Sequence, residues 1–206
     1  MDVIKKYFPE LTEKQEYQFS VLKGLYTDWN VKINLISRKD IGNLDEKHIL
    51  HSLGIAKIIR FTDDTTILDV GTGGGLPGIP LAILFPKVHF VLLDSIGKKI
   101  KVAENIAAEA GLENVECVWS RIEDEKRKFN FLLSRAVMPL PDLVKVAQKN
   151  VAKEQRNALP NGYICLKGGD LQSEIFPFRN KAIVYELSDF FEEAFFLTKK
   201  AVYLPS

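Results

Sequence analysis

The chain has 206 residues, of which 46% are apolar and 27% are charged, and its formal net charge is +1. These values are ordinary for a folded globular protein and exclude a low-complexity or mostly disordered chain. They also exclude a generally basic nucleic-acid-binding protein, so contact with RNA would require a local cluster of cations.

The cysteines and the hydropathy pattern bear on location. Cys117 and Cys165 both lie in apolar, strand-like runs, which favours buried free thiols in a reducing compartment. The beginning, MDVIKKYFPE, lacks a long apolar core, and no run approaches the ~18 apolar residues of a membrane span. We therefore expect a cytoplasmic protein that does not enter a membrane.

Residues 1–60 are predicted to form a helical extension. Thr12 and Gln15 have the spacing of a capping box, and apolar residues recur at helical spacing along the segment that follows. A second helix is expected over about residues 44–59. Residues 31–36 are the one stretch of this extension that could form a strand.

Cations outnumber acids between residues 32 and 60, with six Lys or Arg against three Asp or Glu. A solvated helical face explains this excess as well as a surface that faces RNA does. The pattern leaves both interpretations open.

In the second predicted domain, residues 61–206, strand-like and helix-like segments alternate, which predicts an α/β fold with a mostly parallel, doubly wound sheet. Ser95 is expected to cap the second helix of this domain, and Gly111 is expected to end that helix in the left-handed conformation. The last two strands would form an antiparallel pair. The predicted strands cover residues 67–70, 89–93, 115–119, 129–133, 163–166, 182–187 and about 195–203, and the predicted helices cover residues 79–85, 98–110 and 140–151.

The most informative stretch is residues 66–78, which read TILDVGTGGGLPG. An apolar strand runs into a glycine-rich turn, and Pro77 suits the first turn of a following helix. Because glycine has no Cβ and tolerates positive φ, such a turn lets the backbone approach a ligand closely. Strand, turn and helix together form the first half of a nucleotide-binding βαβ unit.

Two cofactors are compatible with this turn. Gly73, Gly75 and Gly78 match the dinucleotide pattern G-x-G-x-x-G, which would favour a nicotinamide-dependent oxidoreductase. The alternative frame begins with Asp69 and Gly71 and continues through the next two alternate glycines. It resembles motif I of the S-adenosylmethionine-dependent methyltransferases, and its glycines begin at the strand end, so we favour it.

Asp94 closes the second predicted strand, 23 residues beyond Gly71. A carboxylate at this place can accept hydrogen bonds from both ribose hydroxyls of an adenosine, whichever cofactor carries it. Its presence also argues against a purely structural glycine-rich loop.

Polar groups collect at the carboxyl ends of the predicted strands, where the ligand crevices of α/β sheets open. None of them is the His or Tyr that a dehydrogenase would use as its acid–base group. We expect neither a metal site nor a Cys nucleophile, because no His/Cys/Asp cluster has ligand spacing and neither Cys has a neighbouring His. The polar groups are Asp69, Asp94, Arg121, Glu123, Arg135 and Lys167.

The absence of two motifs narrows the choice of methyl acceptor. The Asn/Asp/Ser-Pro-Pro-aromatic tetrapeptide of amino-group methyltransferases is missing after the fourth strand, where residues 134–139 read SRAVMP. Neither Cys follows a Pro, as the nucleophile of cytosine C5 methyltransferases does. What remains suits an acceptor such as guanine N7, whose lone pair needs no base, so that proximity and alignment suffice. Cations at the site would hold RNA phosphates or the acceptor edge of the guanine.

Several short motifs follow one another along the chain. They are WN and NL within residues 29–35, HIL and SL within 48–53, DVGTG and GLPGIP within 69–80, LDS and KK within 93–99, SRA at 134–136 and LKG at 166–168. In this order they resemble the RsmG family (older name GidB) of bacterial small-subunit ribosomal RNA guanine-N7 methyltransferases. The resemblance spans about residues 29–168 and rests on the combination of the motifs.

The resemblance implies a Rossmann-like S-adenosylmethionine-dependent methyltransferase fold, with a mostly parallel seven-stranded sheet, an antiparallel C-terminal strand and an N-terminal helical extension. It implies methylation of a guanine in the 530-loop region of 16S rRNA. S-adenosylmethionine would be the methyl donor, and the assembled small ribosomal subunit would be the substrate and partner.

The resemblance also implies roles for individual residues. Asp94 falls at the ribose position, and Arg121, Arg135 and Lys167 match basic residues that position the acceptor guanine. The cofactor contacts expected from the resemblance or from the glycine-rich loop are Asp69, Gly71, Gly73, Gly75, Leu76, Asp94, Ile122, Glu123 and Arg135.

One position departs from the family pattern. Many members read HILDS, whereas this chain has His51 in place of the Asp. An Asp that served the cofactor or catalysis would be missing here, but one that only anchored a helix could be replaced by His51. His48 is only a weak candidate for positioning the substrate. A histidine that packs in the core would account for His48 equally well.

We therefore predict a monomeric, S-adenosylmethionine-dependent rRNA guanine-N7 methyltransferase. Two other classes stay open. One is a nicotinamide-dependent oxidoreductase, and the other is a non-catalytic RNA-binding protein or ribosome assembly factor that keeps the methyltransferase fold.

Overall fold

The computed structural model describes residues 1–37 and 40–206. Arg38 and Lys39, two of the cations counted above, lie outside the described residues. The α-helices are α1 (Asp2–Tyr7), α2 (Glu13–Lys32), α3 (His51–Leu53), α4 (Gly78–Leu84), α5 (Gly97–Glu109), α6 (Leu140–Ala147) and α7 (Gln172–Ile175). The strands are β1 (Thr66–Val70), β2 (His89–Asp94), β3 (Val115–Trp119), β4 (Phe131–Arg135), β5 (Gly162–Gly168), β6 (Ile183–Glu186) and β7 (Lys199–Pro205).

The strands of the described chain form one seven-stranded sheet in the order β3-β2-β1-β4-β5-β7-β6. Strands β1 to β5 are parallel, β7 is antiparallel to β5, and β6 is antiparallel to β7. The strand order reverses between β1 and β4, which is where such a sheet opens a crevice at its carboxyl ends. The predicted α/β sheet, mostly parallel with antiparallel strands at the C-terminus, is confirmed.

The sheet separates two hydrophobic cores, because successive side chains of a strand point to opposite faces. In β1, Ile67 belongs to one core and Leu68 to the other. Helices α2, α4 and α5 cover the first core, and α6 covers the second. Burial on both faces explains why β1, β2, β4 and β5 read as nearly continuous apolar runs, whereas β3 at the edge of the sheet is more exposed.

Helix α2 of the N-terminal segment packs against α4 and α5 on one side of the sheet. The predicted capping box at Thr12 and Gln15 is confirmed. Gln15 also donates a hydrogen bond to the carbonyl of Ile83 in α4 (2.9 Å), and Gln18 donates one to the carbonyl of Ala110 after α5 (3.0 Å). Side chains of α2 lie in the same core as those of β1, while the domain division at residue 60 stays a prediction.

Residues 31–36 do not form the strand that the sequence allowed. Helix α2 continues to Lys32, and the Asn30 side chain then accepts hydrogen bonds from the amides of Leu35 and Ile36. Asn30 also donates a hydrogen bond to the carbonyl of Ile36. This side chain satisfies backbone groups that a neighbouring strand would otherwise have to bind.

The last predicted strand, residues 195–203, is wrong in its first half. Residues Ala194–Thr198 form a 3₁₀-helix, and β7 begins only at Lys199. The aromatic run favours a strand by propensity, but Phe196 is fully buried and packs against Phe191 with ring centroids 4.6 Å apart. Tertiary packing therefore decides the local structure here.

Two further expectations about α5 have different outcomes. Ser95 does not cap the helix; the N-cap residue is Ile96, whose amide donates a hydrogen bond to the Asp94 carboxylate. Gly111 has the expected left-handed conformation, with φ at +66°. Helix α5 therefore begins without a side-chain cap, and Asp94 fixes only the amide of the residue that precedes it.

Other boundaries shift by a few residues. The expected helix over residues 44–59 is a succession of short turns, which are 3₁₀ (Ile41–Asn43), π (Asp45–Leu50), α3 and 3₁₀ (Gly54–Lys57). Helix α6 ends at Ala147 and continues as a 3₁₀ turn. Strand β4 begins later than predicted, because the Asn130 side chain accepts a hydrogen bond from the amide of Thr66 at the start of β1 (3.0 Å).

Within the described part of the chain, no helix is both long and apolar enough to cross a membrane.

Candidate functional site

A cavity of about 620 Å³ opens at the carboxyl ends of β1, β2 and β4. We call it the first cavity. It is lined by the glycine-rich turn after β1, by residues 93–96 after β2, by residues 120–123 after β3 and by residues 135–138 after β4. Its volume lies within the range of small-molecule sites, roughly 300–1,000 Å³.

The turn requires glycine for two different reasons. Gly71, Gly73 and Gly75 all have positive φ, at +68°, +60° and +96°. A Cβ on Gly71 would lie 2.5 Å from the Val137 side chain, and one on Gly75 would overlap Ile79. A Cβ on Gly73 would meet nothing within 4 Å, although this residue lines the cavity. The backbone at Gly73 is therefore the place where a ligand can approach most closely.

Asp69 holds the turn from below. It is fully buried, and its Oδ2 accepts hydrogen bonds from the Thr72 hydroxyl (2.6 Å) and from the Gly78 amide (2.9 Å). Burial raises the pKa of this carboxyl to about 6. Oδ1 has no hydrogen-bond partner among the described residues. Although Asp69 was predicted to contact the cofactor, its carboxylate lies behind the turn and joins it to the start of α4.

Asp94 reaches the first cavity from the end of β2. Its Oδ2 accepts a hydrogen bond from the Gly73 amide (2.9 Å), and its Oδ1 accepts one from the Ile96 amide (2.8 Å). Each carboxylate oxygen has a second acceptor position, so the group can still bind a ligand. These two contacts fix the carboxylate against the glycine-rich turn.

Residues of the N-terminal segment complete the first cavity. Tyr26 is fully buried, and its hydroxyl donates a hydrogen bond to the carbonyl of Gly74 (2.9 Å). Leu35 and Ile36, which Asn30 holds in place, also line the cavity. The sequence identified Tyr26 only as an apolar position of a helix and gave no signal that it contacts the turn.

The loop after β3 supplies three more predicted residues. Arg121, Ile122 and Glu123 all line the first cavity; Ile122 is buried, whereas the two charged residues are exposed. Leu76 is buried and also lines it. The structure thus brings these residues together with Gly71, Gly73, Asp94 and Arg135.

A second cavity of about 400 Å³ adjoins the first, and the two share residues 135–138 as a common wall. We call it the second cavity. Its other lining residues include His51, Lys167, Glu174 and Lys199. These residues come from segments far apart in the chain, and the sequence contained no signal for Glu174 or Lys199.

Arg135 lies in the wall between the two cavities. Its Nη1 is 3.2 Å from Nδ1 of His48, and no carboxylate lies within ion-pair distance of the guanidinium in the described chain. Because Arg can only donate, Nδ1 of His48 is the acceptor and Nε2 carries the proton. Burial and the neighbouring guanidinium lower the pKa of His48 to about 4, so the imidazole is neutral near pH 7.

Lys167 is paired rather than free. Its Nζ forms an ion pair with Oε2 of Glu174 (2.7 Å) and donates a hydrogen bond to the carbonyl of Met138 (2.7 Å). The same Oε2 accepts a hydrogen bond from the amide of Leu140 (2.8 Å). Although burial acts to raise the pKa of the Glu174 carboxyl, these hydrogen bonds hold that pKa below its usual range. Lys167, which was predicted to help position the acceptor guanine, therefore also forms an ion pair with a carboxylate at the second cavity.

His51 is a packed histidine at the edge of the second cavity. Its ring meets Phe195 and Phe196 edge-on, with centroids 5.6 and 6.3 Å away. Burial lowers its pKa to about 3, and Nε2 has no hydrogen-bond partner within residues 1–37 and 40–206. A neutral ring that packs against two phenylalanines is consistent with the helix-anchoring interpretation of this position.

The described side chains also bear on two other chemistries, a metal site and a thiolate nucleophile. Among the described residues, no group of three or more His, Cys, Asp and Glu side chains could hold a metal ion. Burial raises the pKa of both Cys117 and Cys165 to about 12, so neither thiol is ionised near pH 7. A thiolate nucleophile is therefore not favoured.

The first cavity fits the S-adenosylmethionine that the resemblance implies. The open space at Gly73 admits a ligand against the backbone, and Asp94 keeps acceptor positions for hydroxyl groups. Leu93, Ile96 and Ile122 offer apolar surface that suits a purine ring. Backbone, carboxylate and apolar surface thus meet the three needs of an adenosine derivative.

The chain is similar to known proteins over almost its whole length. The GidB family model, described as rRNA small subunit methyltransferase G, matches residues 15–196. The protein of Phocaeicola vulgatus named ribosomal RNA small subunit methyltransferase G is 63% identical over 204 residues, which cover 99% of this chain and 98% of that protein. The protein of the same name from Bacteroides thetaiotaomicron is 59% identical over 203 residues, or 98% of each chain.

The fold has counterparts among solved structures. A SAM-dependent methyltransferase from Aquifex aeolicus aligns with a TM-score of 0.55 and 16% sequence identity, over 82% of this chain and 98% of that one. At this identity the likeness concerns the fold, which is the Rossmann-like fold of S-adenosylmethionine-dependent methyltransferases. Because the family model and the relatives match almost the whole length, the chain belongs to the GidB family of rRNA small subunit methyltransferase G proteins.

Proposed function

We propose that the protein is an S-adenosylmethionine-dependent methyltransferase that acts on 16S rRNA in the small ribosomal subunit, at N7 of a guanine in the 530-loop region. The observation that carries the proposal is that the first and second cavities share residues 135–138. A donor held in one cavity and a base held in the other would meet at this wall. The names of the relatives, which are ribosomal RNA small subunit methyltransferases, support the choice of substrate.

S-adenosylmethionine, when bound, supplies a methyl group activated by a sulfonium cation. Asp94 would bind the ribose hydroxyls, and the backbone from Gly71 to Gly73 would contact the amino acid part. Ile122 and Glu123 would contact the adenine from the loop after β3. Asp69 would act indirectly, because its carboxylate fixes the turn that carries these backbone groups.

An N7 acceptor agrees with the side chains at the shared wall. The N7 lone pair carries no proton, so no base has to remove one. The shared wall consists of Arg135, Ala136, Val137 and Met138, none of which is a general base, and the lone pair of His48 Nδ1 is already used by Arg135. Arg135 would donate to the guanine O6 and hold the base in line with the donor, so that catalysis rests on proximity and orientation.

Cations around the two cavities would hold the RNA backbone. Arg121 is exposed at the first cavity, and Lys199 lines the second. Phosphate contacts of this kind fix position without reading sequence. We expect the protein to act in the cytoplasm as a monomer on the assembled subunit.

Methyl transfer from labelled S-adenosylmethionine to small subunits that lack their native modifications tests the proposal. After digestion of the rRNA, the label should appear in 7-methylguanosine. Label in a different nucleoside would refute the N7 assignment. Binding of S-adenosylhomocysteine without transfer to subunits, naked rRNA or tRNA would instead favour a non-catalytic assembly factor.

A thermal-shift comparison tests the cofactor independently of the RNA. S-adenosylhomocysteine should raise the melting temperature, because a ligand that binds only the folded state stabilises it. NADH should not. Stabilisation by NADH alone would favour the oxidoreductase.

A further inference from the structure

We propose that the second cavity is the pocket for the acceptor base and that Glu174 selects guanine by accepting hydrogen bonds from its Watson–Crick edge. This inference rests on the function proposed above. It assigns the base to the second cavity and adds a residue that determines specificity.

The second cavity has the composition that an unstacked nucleotide needs. Enzymes that modify a base within folded nucleic acid take it out of the stack and read its Watson–Crick edge in a pocket. Apolar surface for the ring comes from Val137, Met138, Pro139 and Leu166. Of the described residues, three cations (Arg135, Lys167 and Lys199) and one carboxylate (Glu174) line this cavity, and this positive balance suits the adjoining phosphate.

Glu174 is held so that one of its oxygens remains available. Oε2 is engaged by Lys167 and by the amide of Leu140, at 2.7 and 2.8 Å. Oε1 has no hydrogen-bond partner in the part of the chain that the structure describes, and Glu174 lines the cavity. The two contacts fix the side chain and keep it ionised, so Oε1 is a preorganised acceptor. A role for Lys167 follows, because its ammonium positions this carboxylate.

Arg135 and Glu174 offer the two kinds of group that the edge of guanine requires. Around the ring, N7 is followed by O6, then by N1–H, then by the N2 amino group. Arg135, which lines both cavities, can donate to O6, and Glu174, which lines only the second, can accept from N1–H and the N2 amino group. Adenine would place an amino group against Arg135 and an unprotonated N1 against Glu174, so both contacts would be repulsive.

Inosine tests the contact without changing the protein. Inosine keeps N7, O6 and N1–H and lacks only the N2 amino group. Small subunits would be reconstituted with 16S rRNA in which the guanine that accepts the label is replaced by inosine. For the wild-type enzyme we expect kcat/KM on inosine to fall roughly 10- to 100-fold, as expected for the loss of one hydrogen bond to a charged group. Equal kcat/KM on the two substrates would overturn the inference.

The variant Glu174→Gln tests the same contact from the protein side. Its amide oxygen can keep the contacts with Lys167 and the Leu140 amide, but an NH₂ group then stands in the place of Oε1. We expect kcat/KM on guanine to fall roughly 10- to 100-fold, and the ratio of guanine to inosine rates to approach one. S-adenosylhomocysteine affinity should not change, because Glu174 does not line the first cavity. The matched control is Glu186→Gln, which removes a carboxylate that pairs with Lys200 at 2.9 Å outside both cavities.

The outcomes separate this inference from the proposed function. Unchanged transfer by Glu174→Gln overturns the role of Glu174 and leaves the methyltransferase proposal intact. No transfer by the wild-type enzyme to any guanine overturns the proposed function and, with it, this inference. If Glu174→Gln lowers the melting temperature, the comparison of guanine with inosine on the wild-type enzyme decides the question alone.

Discussion

The two cavities are built in different ways. The first is built around a glycine-rich turn and the ends of β2, β3 and β4, and the carboxylates of Asp69 and Asp94 fix the turn. The second consists of side chains from distant segments, which an ion pair between Lys167 and Glu174 holds together. A fixed glycine-rich turn suits a cofactor whose groups are always the same, whereas a cavity of side chains can be altered to select a substrate.

The N-terminal segment contributes to both cavities and joins them to the same core. Tyr26 and Leu35 line the first cavity, and His51 lines the second. The segment is therefore part of the site itself. Substitutions in its helices can alter cofactor or substrate binding without touching the sheet.

Asp94→Ala should cause the largest effect on the first cavity. Loss of a charged acceptor for two hydroxyl groups should weaken S-adenosylhomocysteine binding roughly 100-fold or more, and the amides of Gly73 and Ile96 would lose their partner as well. Isothermal titration calorimetry would measure the affinity. Asp63→Ala, at a surface pair with Lys87, is the control that should retain wild-type affinity. Equal affinity in Asp94→Ala would refute the ribose assignment.

Lys167→Ala should alter the second cavity and leave cofactor binding in the first unchanged. We expect methyl transfer to fall roughly 10- to 100-fold, because Glu174 loses the ammonium that holds it and the RNA loses a cation. S-adenosylhomocysteine affinity should stay at the wild-type value, since Lys167 lines only the second cavity. Lys200→Ala removes a similar ion pair with Glu186 and should leave both quantities unchanged. A parallel loss of cofactor affinity would contradict the separation.

A comparison of Gly73→Ala with Gly111→Ala should show whether the first cavity needs open space at the Gly73 backbone. Both glycines have φ near +60°, and a Cβ on either would meet nothing within 4 Å, so both substitutions should cost about 1–2 kcal/mol of stability. Only Gly73 lines the first cavity. Cofactor affinity should therefore fall roughly tenfold for Gly73→Ala alone, the equivalent of about 1.4 kcal/mol. An equal loss in Gly111→Ala would show that strain, rather than blocked access, is responsible.

The sequence predicts the first cavity far better than the second. Residues 66–78 carry strand, turn and helix start in one contiguous motif, and alternation of segments predicts the parallel sheet around it. The second cavity depends on which distant side chains the fold brings together, so Glu174 and Lys199 had no local signal. The same limit explains the local errors. Packing of Phe196 replaced an expected strand by a 3₁₀ turn.

His51→Asn should have the smallest effect, and it concerns stability at acid pH. Burial lowers the pKa of His51 in the folded protein to about 3, below the unfolded value near 6.5. The unfolded state therefore binds the proton first, so stability falls as the pH drops below about 6.5. Between pH 6.5 and 5.5 this histidine should cost about 1 kcal/mol of unfolding free energy. Urea unfolding of the wild type and the variant at both pH values would measure the difference.

The comparison of the two proteins isolates His51 from its charged neighbours. Arg135, Lys199 and His48 act on the His51 ring, and all three are present in both proteins. Asp69 has the opposite sign, because its raised pKa favours the folded state as the pH falls toward about 4, but its contribution cancels in the difference. Between pH 8 and 6.5 the wild type should lose only about 0.4 kcal/mol more than the variant, and between pH 6.5 and 5.5 it should lose about 1 kcal/mol more. If both lose the same amount, His51 is hydrated in the folded protein, and its ring is not held away from water by Phe195 and Phe196.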